Sequence, residues 1–193
     1  MLAGSQLVTP MRILFGLKKV IKFCSSDIGI NVSFCDNVVD EMKKHQQHSQ
    51  CKEAGGILFS RLNEDNHMVI SKITTPSFWD KRFLDRFVLN KRKTQKEINS
   101  SFKNGFHYVG DWHTHSEVNP RPSGIDLSTI KSVYNKSKHE LRYFLIVILS
   151  SSSDFKYSYV AFVDGRNVFR CEMLPPNLYQ ENCDESSLNL IGT

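Results

Sequence analysis

The chain has 193 residues, 40% of them hydrophobic and 23% charged, which is the size and polarity of one globular domain. Its formal charge of +5 is spread over scattered basic residues, with only Lys91-Arg92-Lys93 clustered, so a nucleic-acid footprint is not expected. No apolar run approaches the length of a membrane span, and Arg12, Lys18, Lys19 and Lys22 interrupt the early apolar stretch, against a secretory leader.

Residues 1–10 read as a loose leader and Met11–Phe15 as a first ordered run. Ile30–Phe34 alternates like a short strand. Asp36 then reads as the N-cap of a helix running toward His48, with Val38, Val39 and Met42 on one face. Ala54–Ser60 is short and apolar, Asn63–Asn66 is a polar turn, and Met68–Ile73 returns as the second arm of a hairpin. Pro76–Phe83 is expected to be a loop carrying aromatics, followed by a strand at Arg86–Leu89. Thr94–Lys103 resembles a polar helix that stops at Gly105. Tyr108–His115 reads as a strand, and a helix follows from Ser123 to Ser137. Tyr143–Leu149 is continuously apolar, as expected of a strand buried on both faces. A serine turn at Ser150–Ser153 leads into Tyr157–Val163, and Asp164-Gly165 turns the chain into Val168–Met173. With no repeat and no second core, the expectation is a single mixed α/β domain over 11–174, with a polar tail at 175–193.

The five cysteines form no C-x-x-C pair, which fits a reduced, cytoplasmic protein with free thiols. Cys51 is expected to be a small filler in the wall near the segment that follows it.

The chemistry concentrates between His113 and Asp126, where the chain reads H-x-H, seven residues, S, two residues, D. Two imidazoles and a carboxylate can supply three zinc ligands and leave the fourth position for water. In a strand, His113 and His115 share a face with Asp111, while Trp112 and Thr114 face the other way, which assigns Trp112 to the core. Asp111 can orient an imidazole or be a hydrogen-bonded acid at the strand end, and both readings stay open. Pro120 and Pro122 keep the intervening segment irregular, so it must bend back to bring Asp126 to the histidines. Ser123-Gly-Ile-Asp126 also reads as a capped helix start, which would explain both residues without a metal. The joint pattern lifts the metal reading, because no capping rule requires H-x-H at that offset.

Other families that begin with paired histidines do not fit. A metallo-β-lactamase would continue to Asp-His, whereas His115 is followed by Ser-Glu-Val. Amidohydrolase barrels need roughly 250 residues, and zinc deaminases need a C-x-x-C pair. His45 and His48 read as solvated surface residues, and His67, His107 and His139 are isolated. A metal-activated water still needs a base. Glu53, immediately before the apolar strand, is the candidate, against the alternative of a solvated acid closing a loop.

Glu53 together with His113-Thr114-His115, Ser123 and Asp126 resembles the JAMM (MPN+) metalloproteases, over about residues 30–173. The resemblance implies a cytidine-deaminase-like α/β fold, a mixed β-sheet flanked by helices. It also implies Zn2+ held by His113, His115 and Asp126, with Glu53 as acid/base and Ser123 as oxyanion support. That last role is expected to compete with capping, since one hydroxyl proton cannot serve both. The reaction implied is isopeptide hydrolysis that releases a lysine amine. Gly110-Asp-Trp-His-Thr-His115 is most similar to the bacterial branch, and within it to the deconjugating proteases of CBASS antiphage operons. The partners so implied are a CD-NTase conjugated through its extended C-terminal tail to a target protein, and ubiquitin-activating-like and ubiquitin-conjugating-like enzymes. No membrane or nucleic acid is implied. Ser116 departs from the proline that many relatives carry there. Phe78-Trp79 and Phe83 can clamp the tail by strand addition or be buried against the domain. A non-catalytic MPN scaffold and a RadC-like DNA-associated metalloprotein are the alternatives; the complete motif stands against the first, the lack of a basic cluster against the second.

Overall fold

A computed structural model describes residues 20–48, 50–61 and 66–175. The expected leader, the run at 11–15, most of the turn at 63–66 and nearly all of the tail lie outside the described residues. In chain order the elements are β1 (Val20–Ser25), β2 (Ile30–Cys35), α1 (Asp36–Lys43), β3 (Gly55–Ser60), β4 (His67–Ile73), β5 (Lys81–Arg82) and β6 (Phe87–Val88). Then come α2 (Lys91–Lys103), β7 (His107–Thr114), α3 (Gly124–Lys136), β8 (Phe144–Leu149), β9 (Tyr159–Val163), β10 (Val168–Arg170) and β11 (Glu172–Met173). Among the described residues, nine strands make one mixed sheet in the order β10-β9-β8-β7-β3-β4-β2-β1-β11, parallel at β2–β4 and β7–β8. β5 and β6 form a separate ribbon. The expected mixed α/β architecture is the one observed.

The sheet curls until its edges meet. β10 and β11 stand at opposite ends of the strand order, yet only Cys171 separates them in the chain. The Cys171 amide donates to Val160 in β9, while Leu174 donates to Lys22 in β1, so one continuous segment seals both edges. Closure removes the unpaired strand groups that an open edge would present. Inside the curl Phe23, Phe34 and Phe155 meet edge to face, with centroids 5.3–6.0 Å apart. The same core takes Trp112, Leu145 and Val147 from the sheet and Val38, Val39 and Met42 from α1. On the outer face Ile130 of α3 covers Phe144, Ile146, Ile148 and Ala161. β8 is thus buried along its whole length, as its apolar run predicts.

Several boundaries differ from the expectation for identifiable reasons. α1 ends at Lys43, well short of His48, because its buried stripe ends at Met42; Asp36 lies in its first turn, and Cys35 is the cap residue. β1 is not called from the sequence, since Lys22 breaks the apolar period of V-I-K-F-C-S. α2 starts at Lys91, with Asn90 Oδ1 accepting from the Lys93 amide at 3.0 Å. Three basic residues at a helix N-terminus oppose its dipole, which hides that first turn from a sequence reading. The strand expected at Val168–Met173 splits at Cys171 to serve two edges, and Lys81–Arg82, expected in a loop, pairs with Phe87–Val88. No helix among the described residues is long and apolar enough to cross a membrane.

Gly110 sets the spacing of β7, which carries the histidines, from its neighbour β8. Its φ is +151°, and a Cβ there would lie 1.8 Å from the Leu145 carbonyl oxygen in β8. Gly110→Ala is therefore expected to destabilise the fold by at least about 2 kcal/mol, read as a lower denaturant midpoint at unchanged slope. A midpoint equal to wild type would contradict this close approach.

Candidate metal centre

The register of β3 against β7 assembles the site. Gly55 pairs with His113, and beyond the ladder the Thr114 amide donates to Ala54, whose own amide donates to Thr114 Oγ1 at 2.9 Å. This extension sets Glu53 opposite His115, and a Glu53 oxygen lies 3.7 Å from His115 Nε2. Trp112 faces the core as expected, fully buried, with its indole N–H donating to the Thr74 carbonyl at 2.9 Å. The two glycines after Glu53 are steric requirements. A Cβ on Gly55 would meet the Trp112 carbonyl oxygen at 2.5 Å and the Phe87 ring at 2.6 Å, and one on Gly56 would lie 2.0 Å from the Thr74 carbonyl oxygen.

After β7 the loop is tied down where Ser151 donates to the Glu117 carbonyl and Ser150 Oγ to that of Val118. It then enters α3 through a complete capping box: Ser123 Oγ accepts from the Asp126 amide at 3.2 Å, and the Ser123 amide donates to Asp126 Oδ2 at 2.7 Å. The box aims Asp126 back at the strand, with Oδ1 3.5 Å from His113 Nε2 and Oδ2 3.7 Å from His115 Nε2. It also corrects one expectation. Ser123 caps with its oxygen as acceptor, so its proton stays available, and the cap and an oxyanion donor do not compete.

Glu53 and Asp126 therefore both reach the histidine pair, within 3.7 Å, and Ser123 adjoins it through its hydrogen bonds with Asp126. Glu53, His113 and His115 each offer an atom within 4.8 Å of the others, a grouping that can hold a metal ion. The two Nε2 atoms are 3.2 Å apart. Two nitrogens bound about 2.0–2.1 Å from one tetrahedral ion would be separated by roughly 3.3 Å, so the imidazoles already stand at the spacing of shared ligands. Neutral nitrogen donors with carboxylate oxygens suit a borderline cation such as zinc.

The two carboxylates differ in electrostatics. Glu53 is 4% exposed, and burial pushes its pKa up to about 7. Burial also acts on Asp126, but hydrogen bonds from His113 and Ser123 outweigh it and hold its carboxyl down at about 2. The imidazole of His115 is shifted down, by burial first and then by His113, which favours the neutral ring that can ligate. Its Nδ1 lies 3.6 Å from Glu117, a pairing visible in the sequence only as a carboxylate two residues beyond a histidine. Asp111 accepts from the Tyr108 hydroxyl at 2.9 Å, and burial lifts its pKa to about 6.

Beside His113 and Asp126 a cleft of about 1050 Å³ runs over β7 between α2 and α3, with Val88, Ile98, Phe102 and Ile125 among its apolar walls. Phe78 and Trp79, for which burial was one expectation, are 94% and 68% exposed and stack edge to face on each other. Cys51, expected as wall filler, is exposed. Sequence reasoning also passed over Gln47 and Arg82. Gln47 is buried and donates to the Cys51 and Leu84 carbonyls, and Arg82 donates to those of Glu53 and Lys52. Glutamine and arginine in polar segments carry no periodic signal that would mark them.

The chain matches the family described as prokaryotic homologues of the JAB domain over residues 36–171. It is 30% identical over 146 residues to a CD-NTase/cGAS isopeptidase of Pseudomonas aeruginosa, covering 74% of this chain and 82% of that one. A protein of the same name from Enterobacter hormaechei is 26% identical over 77% of this chain and 83% of its own length. In fold it is similar to a protein from Desulfitobacterium hafniense solved in solution, with a TM-score of 0.50 at 18% identity, over 72% of this chain and 88% of that one.

The elevated Glu53 pKa has a consequence for stability. Between pH 4.5 and about 7 the folded chain keeps a proton that the unfolded chain has released, so stability falls as pH rises through that window. Asp126 acts in the opposite sense only below about pH 4, where its lowered pKa loses its contribution. In metal-free protein, Glu53→Gln is expected to raise stability by on the order of 2–3 kcal/mol at pH 8 and to change it little near pH 4. Denaturant melts in chelator at both pH values measure this, and an equal effect at the two would refute the buried-acid origin of the shift.

Proposed function

This chain belongs to the family of prokaryotic JAB-domain homologues, and on that premise we propose that it is a zinc-dependent isopeptidase of bacterial antiphage defence, working in the cytoplasm. The observation that carries the reading is the convergence of Glu53, His113, His115 and Asp126 on one point, from three separate segments of the chain. His113, His115 and Asp126 would hold the metal, leaving Glu53 for proton transfer. When bound, the ion supplies Lewis-acid polarisation of the scissile carbonyl and acidifies water.

The chain's own residues do the rest. A carboxyl near pKa 7 can take a proton from water and hand it to a departing amine at neutral pH, which is the task assigned to Glu53. Water adds to the carbonyl carbon, the C–N bond breaks, and the products are a C-terminal carboxylate and a free lysine ε-amine. Ser123 Oγ, whose lone pair caps α3, keeps its proton to donate to the carbonyl oxygen as negative charge develops there. The apolar cleft beside His113 suits the extended C-terminal tail of a conjugated protein, and the exposed Phe78–Trp79 pair, outside the lining of that cleft, is assigned the clamping of a further part of the tail.

The substrate reading goes further. Relatives named CD-NTase/cGAS isopeptidase support a CD-NTase as the conjugated protein, and the proposal extends to ubiquitin-activating-like and ubiquitin-conjugating-like enzymes as the ones that join it to its target. Free thiols at Cys24, Cys35, Cys51 and Cys171 suit a reducing cytoplasm. We take residues 11–174 as the catalytic domain.

The test is hydrolysis of a CD-NTase tail joined to a lysine ε-amine by the zinc-loaded chain. Glu53→Gln is expected to lower kcat by about 10²- to 10⁴-fold with zinc still bound. Asp126→Ala should lose zinc, and a chelator should stop the wild-type reaction until zinc is restored. Full-rate cleavage by zinc-loaded Glu53→Gln, or by verified metal-free enzyme, would refute the mechanism.

A further inference from the structure

Glu53 lies just past the Ala54–Thr114 hydrogen bonds that extend the β3–β7 ladder beyond its last pair, Gly55 with His113. Nothing in the main sheet holds its backbone. Both of its main-chain polar groups are taken by the ribbon hairpin instead: the Glu53 amide donates to the Phe83 carbonyl at 2.7 Å, and the Glu53 carbonyl accepts from Arg82 Nε at 2.7 Å. Arg82 Nη2 reaches the preceding carbonyl, that of Lys52, at 3.1 Å. The same hairpin lays Phe87 over Gly55 and is braced by Gln47, which bridges the Leu84 and Cys51 carbonyls at 3.0 and 2.8 Å.

The guanidinium therefore grips two consecutive carbonyls with two donors held in one plane, which a lysine ammonium cannot reproduce. It spends its hydrogen bonds on backbone and none on the carboxylate. Without that grip, a buried carboxylate would gain hydration by swinging outward, away from His115. We propose that Arg82 is a positioning residue: from the hairpin it fixes the Glu53 backbone, and with it the place of the carboxylate beside His115. The inference rests on the reading of Glu53 as the proton carrier. It also makes the segment bearing the exposed Phe78 and Trp79 mechanically continuous with that carboxylate.

The test compares wild type, Arg82→Ala, Arg82→Lys and Glu53→Gln, and the double variants of Glu53→Gln with each Arg82 change. One readout needs no activity: amide hydrogen exchange in the full chain. Arg82→Ala should speed exchange at the Glu53 amide by about tenfold or more, leaving β7 amides and the thermal unfolding curve near wild type. In zinc-loaded enzyme acting on the lysine-linked tail, Arg82→Ala should lower kcat on the order of 10- to 100-fold with KM within about threefold. Arg82→Lys should recover part of that loss, and its single nitrogen, without the planar fork, keeps the comparison valid if the alanine variant folds poorly. In the Glu53→Gln background the Arg82 effect should vanish, because the group being positioned no longer carries protons. Unchanged exchange at Glu53, an unchanged kcat, or a full-sized Arg82 effect in the Glu53→Gln background would each overturn the assignment. Wild-type enzyme that cleaves nothing would sink the isopeptidase reading alone, since the exchange measurement still decides whether Arg82 holds Glu53.

Discussion

The pairing of β3 with β7 is the constraint on which the site depends. An antiparallel register can be shifted only in whole residues, and a shift of one would turn every side chain to the opposite face. With Gly55 opposite His113, Glu53 falls opposite His115 and nowhere else. Thr114 exchanges two hydrogen bonds with Ala54, Trp112 donates to the Thr74 carbonyl, and the same carbonyl leaves no room for a Cβ at Gly56, so these contacts are specific to this register. The Glu-Ala-Gly-Gly sequence is thus one device. The acid needs the register, and the register needs the absence of a Cβ at the two following positions.

The rest of the fold serves to keep that ladder central. β3 and β7 are the middle strands of the curled sheet, flanked by β4 and β8, and closure through Cys171 leaves them far from either seam. α1 fills the inside of the curl and α3 covers the outside of β8. The outer face of β7 is left open between α2 and α3, and it is there that His113 emerges. Rigid strands supply the histidines, whereas Asp126 arrives on a helix start and Glu53 on a segment held by a hairpin. Two of the four groups therefore also depend on local tethers, the Ser123 capping box for Asp126 and the Arg82 grip for Glu53.

What the sequence made legible follows the same division. Elements with a clean period, such as β8 and the strand carrying His113-x-His115, were readable because burial on fixed faces imposes the pattern. The chemical residues were readable because a metal demands few side-chain types at close spacing. Of the ribbon hairpin the second strand was readable, within Arg86–Leu89, but the first was not, because it is two residues long and the bonds of Arg82 go to backbone carbonyls, for which no side-chain type is diagnostic. β1 and the first turn of α2 escaped notice through misplaced charges, one at Lys22 in a strand and three at Lys91-Arg92-Lys93 at a helix start, where tertiary packing overrides local preference. That a Ser123 cap is compatible with hydroxyl donation is not legible in the sequence, because only the structure shows the cap using the oxygen as acceptor and leaving the proton available.

The environments of the two carboxylates give the proposed division of labour its physical basis. Asp126 sits in the first turn of α3, where Ser123 and His113 favour its charge, and it stays an anion across the whole neutral range. Glu53 lies deeper, and burial holds it at the midpoint of its titration near pH 7. A permanent anion is suited to holding a cation, and a group that titrates at working pH is suited to moving protons. Exchanging the two environments would leave an acid that cannot give up its charge to carry a proton and a ligand that is half protonated before any metal arrives. A cation beside Glu53 would lower its pKa, so the burial that raises it keeps the group within reach of neutrality once the site is loaded. The cost of burying Glu53 in the metal-free fold is, on this account, what keeps it useful as a base in the loaded one.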